Sequence, residues 1–354
     1  MKAVVMAGGF GTRFWPLSRA SNPKQFLAFT DDSSFLQSTV ERVSPLLRQS
    51  DVFVACGPNY QKQVLAQLPW LTPDQLILEP LARNTAACVG LAAKYLSSRF
   101  GSELMVVLPS DHVIKEEQEF RSVLESALEL ASRDWLVTFG IQPSAPITGY
   151  GYVEMGEVIG TFCGREAFRV KQFIEKPDLL TAEKLVDSGV CLWNSGMFVW
   201  KTDVILEEIQ RWMPDLDQVL ARAESVGFHW EAFAPAFASL ASVPVDIGIL
   251  EQSDRVVTVP CRIGWSDVGG WQALDGLFRR DEHGNISNRK YVQVDGKGCI
   301  LHSTHDRKIM ALLGTEDLVV VDTPDALLVC DRSRTEEIKK IVELLTRQDL
   351  EEFL

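Results

Sequence analysis

At 354 residues the chain is too long for one small core and suits a large α/β domain with an appendage. Its 46% hydrophobic and 23% charged residues are those of an ordinary globular chain, which excludes disorder as the default. A net charge of -13 excludes broad contact with nucleic acid or anionic lipid, since both require basic surface.

One stretch departs from that balance. No acidic side chain precedes Asp31, yet Lys2, Arg13, Arg19 and Lys24 all do. A basic segment in an acidic protein suits a small polyanion in a local cleft. The seven cysteines are scattered, with no Cys-x-x-Cys pair, as expected of reduced, buried thiols. Met1 leads straight into a strand-like run without the apolar stretch and cleavage site of a secretory signal. No apolar run approaches the ~20 residues that span a bilayer. A cytoplasmic protein with no membrane or nucleic-acid partner is expected.

In chain order, residues 2–7, 51–56, 75–78, 104–108 and 135–141 read as short buried strands. Residues 34–48, 59–68, 85–100 and 117–133 carry helical spacing between them, with Asn84 as N-cap of the third helix. Strand–helix alternation of this kind predicts an α/β fold: a doubly wound, mostly parallel, Rossmann-like sheet with helices on both faces. After Pro143 the rhythm changes, with strands at 150–155, 168–174 and 191–200 and helices at 181–188 and 203–211. A helical stretch rich in Trp and Phe follows at 212–241. This half reads as an elaboration of the same sheet, covering one end of a cleft. Short β-rich runs at 291–294, 299–301, 308–312, 318–321 and 326–330 are then broken by Gly and Pro segments, and a charged helix at 335–347 follows. The expected division is a main domain at 1–285 and a small β-rich domain at 286–354.

Directly after the first strand comes Ala7-Gly8-Gly9-Phe10-Gly11-Thr12-Arg13. Three glycines let backbone N–H groups turn toward a phosphate without interference from Cβ atoms. Arg13 and Lys24 add cationic charge. A dinucleotide fingerprint would need glycine three residues after Gly11, where Phe14 stands, and no Walker Gly-Lys-Ser/Thr occurs. On the glycines alone, a βα turn without ligand explains the motif equally well. The block Arg13, Pro16, Arg19, Pro23, Lys24 and Gln25 that follows turns the reading toward function.

Glu79-Pro80-Leu81-Ala82-Arg83-Asn84-Thr85-Ala86 occupies a strand-to-helix junction, where α/β proteins bind ligands and a helix start offers free N–H donors. Pro109-Ser110-Asp111-His112 ends a very apolar strand. A carboxylate there suits a divalent cation, and a solvated loop aspartate is the equal alternative. Glu175-Lys176 reads either as ligand-binding or as a surface pair, and Asn194-Ser195-Gly196 either as ligand-binding or as an ordinary turn. His302 and His305 lack a third ligand nearby, so two surface imidazoles are expected there instead of zinc.

The run from Gly8 to Arg19, Gly-Gly-Phe-Gly-Thr-Arg-Phe-Trp-Pro-Leu-Ser-Arg, followed by Asn22-Pro23-Lys24-Gln25-Phe26, resembles the signature of bacterial mannose-1-phosphate guanylyltransferases. These are sugar-1-phosphate nucleotidyltransferases. The resemblance covers Met1 to about Arg280 and continues more loosely into the β-rich region. It implies transfer of GMP from GTP to α-D-mannose 1-phosphate, giving GDP-mannose and pyrophosphate with Mg2+. It makes Arg13, Lys24 and Asp111 catalytic, and has them bind the nucleotide with Ala7, Gly8, Gly9, Gly11, Thr12, Glu79, Arg83, Asn84, Thr85 and Ser110. Gly149, Tyr150, Glu175, Lys176 and Asn194 would take the sugar phosphate. Asp111 would share the metal with Asp267, in Gly264-Trp265-Ser266-Asp267-Val268-Gly269. The family's β-rich domain resembles a short β-helix and mediates dimer contacts, so a homodimer is expected. Longer relatives carry a phosphomannose isomerase domain beyond this point, and a chain ending at Leu354 is expected to lack that activity. The alternatives are another nucleotide and sugar pair, such as one with glucose 1-phosphate, and a non-catalytic sugar-nucleotide sensor. The retained acid pair counts against the sensor.

Overall fold

Runs such as Lys-Ala-Val-Val-Met-Ala, apolar at nearly every position, have no polar face to offer water, and at six residues they are short for a buried helix and suit strands covered on both sides. The computed structural model describes residues 1–9, 11–29 and 33–354. Phe10 of the glycine turn and Thr30, Asp31 and Asp32 lie outside the described residues. The chain forms two interleaved units, one of Met1–Gly8, Thr39–Ser110 and Ile114–Trp265, the other of Gly9–Ser38, Asp111–Val113 and Ser266–Leu354.

In the first unit, strands β1 (Lys2–Ala7), β2 (Val52–Cys56), β3 (Leu76–Leu78) and β4 (Leu104–Pro109) form a parallel run, with Val5 opposite both Val54 and Leu108. After the two-residue strand β5 (Val113–Ile114) come β6 (Leu136–Ile141), β7 (Tyr152–Phe162), β8 (Arg165–Ile174), β9 (Cys191–Lys201) and β10 (Val256–Cys261). The nine-stranded order is β3-β2-β1-β4-β9-β6-β10-β8-β7. β9 enters antiparallel between β4 and β6, and β10 runs parallel to β6. The second half of the chain therefore extends the same sheet.

Alternation along β9 places the two cores. Phe198 and Trp200 face one side, which also holds residues of α3 (Asn84–Phe100), α6 (Thr202–Trp212), α7 (Pro214–Ser225) and α8 (Trp230–Ala238). Met197 and Val199 face the other, with Phe120, Val123 and Leu124 of α4 (Glu117–Ala131). The remaining helices here are α2 (Gln61–Gln67) and α5 (Leu179–Ser188), while α1 (Phe35–Val43) begins in the second unit and ends in the first. Two details depart from expectation. The helical stretch 212–241 is broken into α7 and α8 at Gly227 and Phe228, both with positive φ. β10, a buried strand, has no counterpart among the expected elements. Among the described residues no helix is long and apolar enough to cross a membrane.

The second unit begins its C-terminal part with β11 (Trp265–Ser266), which starts one residue earlier, and winds through β12 (Ile286–Ser287), β13 (Tyr291–Val294), β14 (Ile300–Ser303), β15 (Met310–Leu313) and β16 (Leu318–Asp322). β12, β14 and β16 pair in parallel in one sheet, and β13 and β15 pair in parallel in another. Successive strands alternate between two parallel sheets, which is the winding of a short β-helix. β17 (Leu327–Asp331) closes it antiparallel, and α9 (Ile338–Arg347) follows. Its core joins Phe14, Trp15, Leu27 and Phe29 to Trp271, Ile300, Val319, Val321 and Ile338. Phe14 and Trp15 of the N-terminal motif are thus core residues of the β-rich unit. His302 belongs to this core too, 5.5 Å from the Trp271 ring, so the expectation of a surface imidazole fails there. Burial pushes its pKa down to about 4, with the Arg289 charge adding to the shift.

Candidate active site

Gly11 turns the chain with φ of 60°, and a Cβ built on it would lie 2.4 Å from the Cβ of Lys24. Glycine is therefore required twice over, by conformation and by space. Ser18 Oγ donates to the Gly11 carbonyl at 2.6 Å and fixes the turn. Lys24, buried in its own short turn, donates from Nζ to Asp111 Oδ2 at 2.8 Å and to the Asp267 carbonyl at 2.6 Å. Burial pushes the Asp111 carboxyl up, but the charges of Lys24 and His112 outweigh it and hold the group below its ordinary range. Asp267 Oδ1 accepts from Gly269 N at 3.1 Å. A Cβ on Gly269 would sit 3.1 Å from both Arg13 Nη1 and Asp267 Oδ2, so guanidinium and carboxylate flank that bare Cα. Arg13, Lys24, Asp111 and Asp267, far apart in sequence, meet beside the glycine turn. One partner lies outside the expected set: Arg13 Nη1 donates to both carboxylate oxygens of Glu336 at 3.1 Å.

Hard carboxylate and carbonyl oxygens grouped around a cation suit Mg2+ or Ca2+ and not a soft metal. Among the described residues no group of three or more His, Cys, Asp or Glu suits a metal. A pair of acids fits an ion that completes its shell with phosphate and water.

The other expected nucleotide residues belong to the first unit. Ala7 ends β1 fully buried, and Ser110 N donates to the Met6 carbonyl at 3.0 Å while its own carbonyl accepts from Thr39 Oγ1 at 3.3 Å. A Cβ on Gly8 would lie 3.9 Å from Glu79 Oε2. Glu79 is buried, which lifts its pKa to about 7 against the opposing hydrogen bonds from Arg83 N and the Cys88 thiol. Arg83 Nη2 donates to the Ala238 carbonyl. Asn84 does not cap α3 in the expected way. It opens the helix at φ 66°, and its Oδ1 accepts from Thr85 N, the very next amide, at 2.9 Å. Ala86 N donates to the Val243 carbonyl at 3.2 Å, and Val245 N donates to Thr85 Oγ1 at 2.8 Å. Two of the first amides expected to be free are therefore occupied, that of Thr85 by Asn84 Oδ1 and that of Ala86 by the Val243 carbonyl.

Among the expected sugar-phosphate residues, Asn194 is not in a turn but inside β9, where its N–H bonds the Gly151 carbonyl at 2.8 Å. A Cβ on Gly151 would lie 2.7 Å from Glu175 Oε2 and 3.7 Å from the Asn194 Cβ, so Glu175 and Asn194 adjoin the same glycine. Lys176, at φ 43°, bonds Glu175 Oε1 at 2.5 Å, and both side chains are open to solvent. Tyr150 packs edge-on against Trp193 and Trp265, 5.1 Å from each ring, and Gly149 is exposed. Asp246, which sequence reasoning passed over, accepts from Asn194 Nδ2 at 2.7 Å. Its signal was an acid inside the apolar run Val-Pro-Val-Asp-Ile-Gly-Ile-Leu, where a charge needs a reason.

A glycine turn after the first strand of a doubly wound sheet, with two acids and two cations gathered at it, is the equipment of an enzyme that handles nucleotide phosphates. The Nucleotidyl transferase family model matches residues 2–283, and that of the MannoseP isomerase/GMP-like beta-helix domain matches residues 289–345. The chain belongs to the nucleotidyl transferase family, in the branch of the mannose-1-phosphate guanylyltransferases. It is 39% identical to the Escherichia coli (strain K12) mannose-1-phosphate guanylyltransferase over 96% of this chain and 72% of that protein. It is 38% identical to the xanthan biosynthesis protein XanB of Xanthomonas campestris, again over 96% of this chain and 72% of the relative. A solved structure described as mannose-1-phosphate geranyltransferase from Thermus thermophilus superposes with a TM-score of 0.86 at 33% identity, covering 98% of this chain and 99% of that one.

Proposed function

We propose that this enzyme transfers GMP from GTP to α-D-mannose 1-phosphate, forming GDP-mannose and pyrophosphate. The meeting of Arg13, Lys24, Asp111 and Asp267 at the Gly11 turn carries the reading. A phosphate oxygen of the sugar attacks the α-phosphorus of GTP, and the bond to the bridging oxygen breaks with its electrons leaving on pyrophosphate. Both reactants are anions, so repulsion and alignment make up most of the barrier. Arg13 and Lys24 donate to the developing charge of the leaving group, a kind of contact worth about 100- to 1000-fold in rate. Asp111 and Asp267 would hold Mg2+, which when bound neutralises phosphate charge as a Lewis acid. The attacking oxygen is already ionised at neutral pH, so no side-chain base is needed and His112 has no proton to take.

In this reading Ala7, Gly8, Gly9, Gly11 and Thr12 line the phosphates, and Glu79, Arg83, Asn84, Thr85 and Ser110 address the nucleoside. Gly149, Tyr150, Glu175, Lys176 and Asn194 address the sugar phosphate. Residues 1–285 form the catalytic domain, 286–354 the β-rich domain through which two copies pair, and the enzyme works in the cytoplasm. The test is pyrophosphate release from GTP, ATP, UTP and dTTP, each against mannose 1-phosphate and glucose 1-phosphate. GTP with mannose 1-phosphate should give the highest kcat/KM. A higher value for another pair, or nucleotide binding with no pyrophosphate from any pair, would overturn it.

A further inference from the structure

An amide side chain recognises a hydroxyl only if its oxygen and nitrogen ends are told apart, because a flip exchanges acceptor for donor. Asn194 is held at both ends. Its Oδ1 accepts from Thr138 Oγ1 at 3.1 Å and from Gly196 N at 3.3 Å, while its Nδ2 donates to Asp246 Oδ1 at 2.7 Å. Thr138 is fully buried in β6, so the oxygen end is anchored in the sheet. Asp246 is an acceptor without a proton to offer when ionised, so it admits one orientation of the amide. The carboxylate is in turn placed by a short turn, Asp246–Leu250, that follows Val243–Val245.

On the reading that this enzyme takes a sugar 1-phosphate, we infer that Asp246 is a positioning and specificity-determining residue for the sugar. It locks the Asn194 amide and sets the second Nδ2 hydrogen beside a carboxylate. The amide so fixed then points that hydrogen at a sugar hydroxyl as donor. Glu175, adjoining the same Gly151, adds a carboxylate for a neighbouring hydroxyl. Burial, with the like charges of Glu175 and Glu251 behind it, pushes the Asp246 carboxyl up to about 6, so at neutral pH it is ionised and accepts from the amide. A hydrogen bond to a charged group is worth more than a neutral one, enough for an effect of about ten-fold in KM.

The experiment is a double-variant cycle read on the two substrates separately. Asp246→Ala should raise KM for mannose 1-phosphate about ten-fold and Asp246→Asn, which keeps the shape and an acceptor, about three-fold. KM for GTP should stay within about two-fold of wild type in both. Because Asp246 acts through Asn194, both effects should vanish in an Asn194→Ala background. If Asp246→Ala does not fold, the Asp246→Asn arm alone decides. A sugar KM unmoved by either change, a parallel rise in the KM for GTP, or an effect that persists without Asn194 would overturn the inference. Absence of turnover by the wild-type enzyme with GTP and mannose 1-phosphate would instead overturn the reading beneath it, and this inference with it.

Discussion

Lys24 reaches Asp111 across 2.8 Å from a side chain only 5% exposed, whereas the side chain of Asp111 remains 34% exposed. The ammonium is therefore a fixed part of the protein, and the carboxylate keeps an open side toward solvent. Such an arrangement holds Asp111 ionised and ready for a cation without closing it off. It also ties the glycine turn, through Lys24, to the backbone of Asp267.

Removing that ammonium should cost rate more than fold. Lys24→Met keeps the buried bulk and takes away the charge, and kcat should fall about 100- to 1000-fold. Asp111→Asn should fall as far, with unchanged circular dichroism. Steady-state pyrophosphate release checks both, and near-wild-type turnover in either variant would remove that residue from the chemistry.

The glycines of the turn should separate cleanly. Gly11→Ala places a Cβ 2.4 Å from the Lys24 stem at φ 60°, so it should lower Tm and activity together. A Cβ on Gly9 meets nothing within 4 Å. Gly9→Ala should leave stability within about 0.5 kcal/mol of wild type, and any rise in the KM for GTP would then report close approach of phosphate to that backbone. Thermal melts beside kinetics make the comparison.

Glu336 supplies the contact with Arg13 that no motif announced. The two side chains are 66% and 44% exposed respectively, so the pair is worth at most about 1 kcal/mol. A triphosphate must displace the carboxylate to gain the guanidinium. Glu336→Gln should therefore lower the KM for GTP by no more than about five-fold, and the gain should shrink as salt is raised. A higher KM in the variant would mean that Glu336 aims Arg13 and does not compete for it.

What could be read in the sequence was what local chemistry determines. β1, β13 and α3 lie almost where their apolar periodicity put them, because burial on both faces or along one stripe leaves its mark on adjacent residues. The glycine turn was legible for the same reason, since Gly11 is needed by its own φ. β10 carried the same local mark in its β-branched Val-Val-Thr-Val and was passed over, whereas its place beside β6, remote in sequence, could be read only from the fold. Asn194 resembled a turn because Gly196 follows it, yet strand pairing on both sides keeps it extended. Glu336 stood in a charged segment where every acid looks equally solvated. That Asp111 and Asp267 belong together came from likeness to a family. The physical link, one lysine bonded to both residues, became visible only in the fold.

Glu79 offers a test in which function and stability should move in opposite directions. Its side chain is buried and its folded pKa is about 7, against 4.5 for an ordinary glutamate. A carboxyl whose folded pKa is raised holds its proton in the folded state after the unfolded chain has lost it. Stability therefore falls as pH rises from about 4.5 through about 7, and the full penalty is present above that. Glu79→Gln removes the titration. The variant should be more stable than wild type at pH 8 by an amount of the order of 1–3 kcal/mol, and the difference should close below about pH 5. If the carboxylate also addresses the nucleoside, as proposed, the same change should raise the KM for GTP, and stability gained at a binding residue should come with function lost. Urea melts at pH 5 and pH 8, with KM measured at pH 8, decide both halves. A variant no more stable at pH 8 than at pH 5, relative to wild type, would mean that Glu79 is not held against its charge.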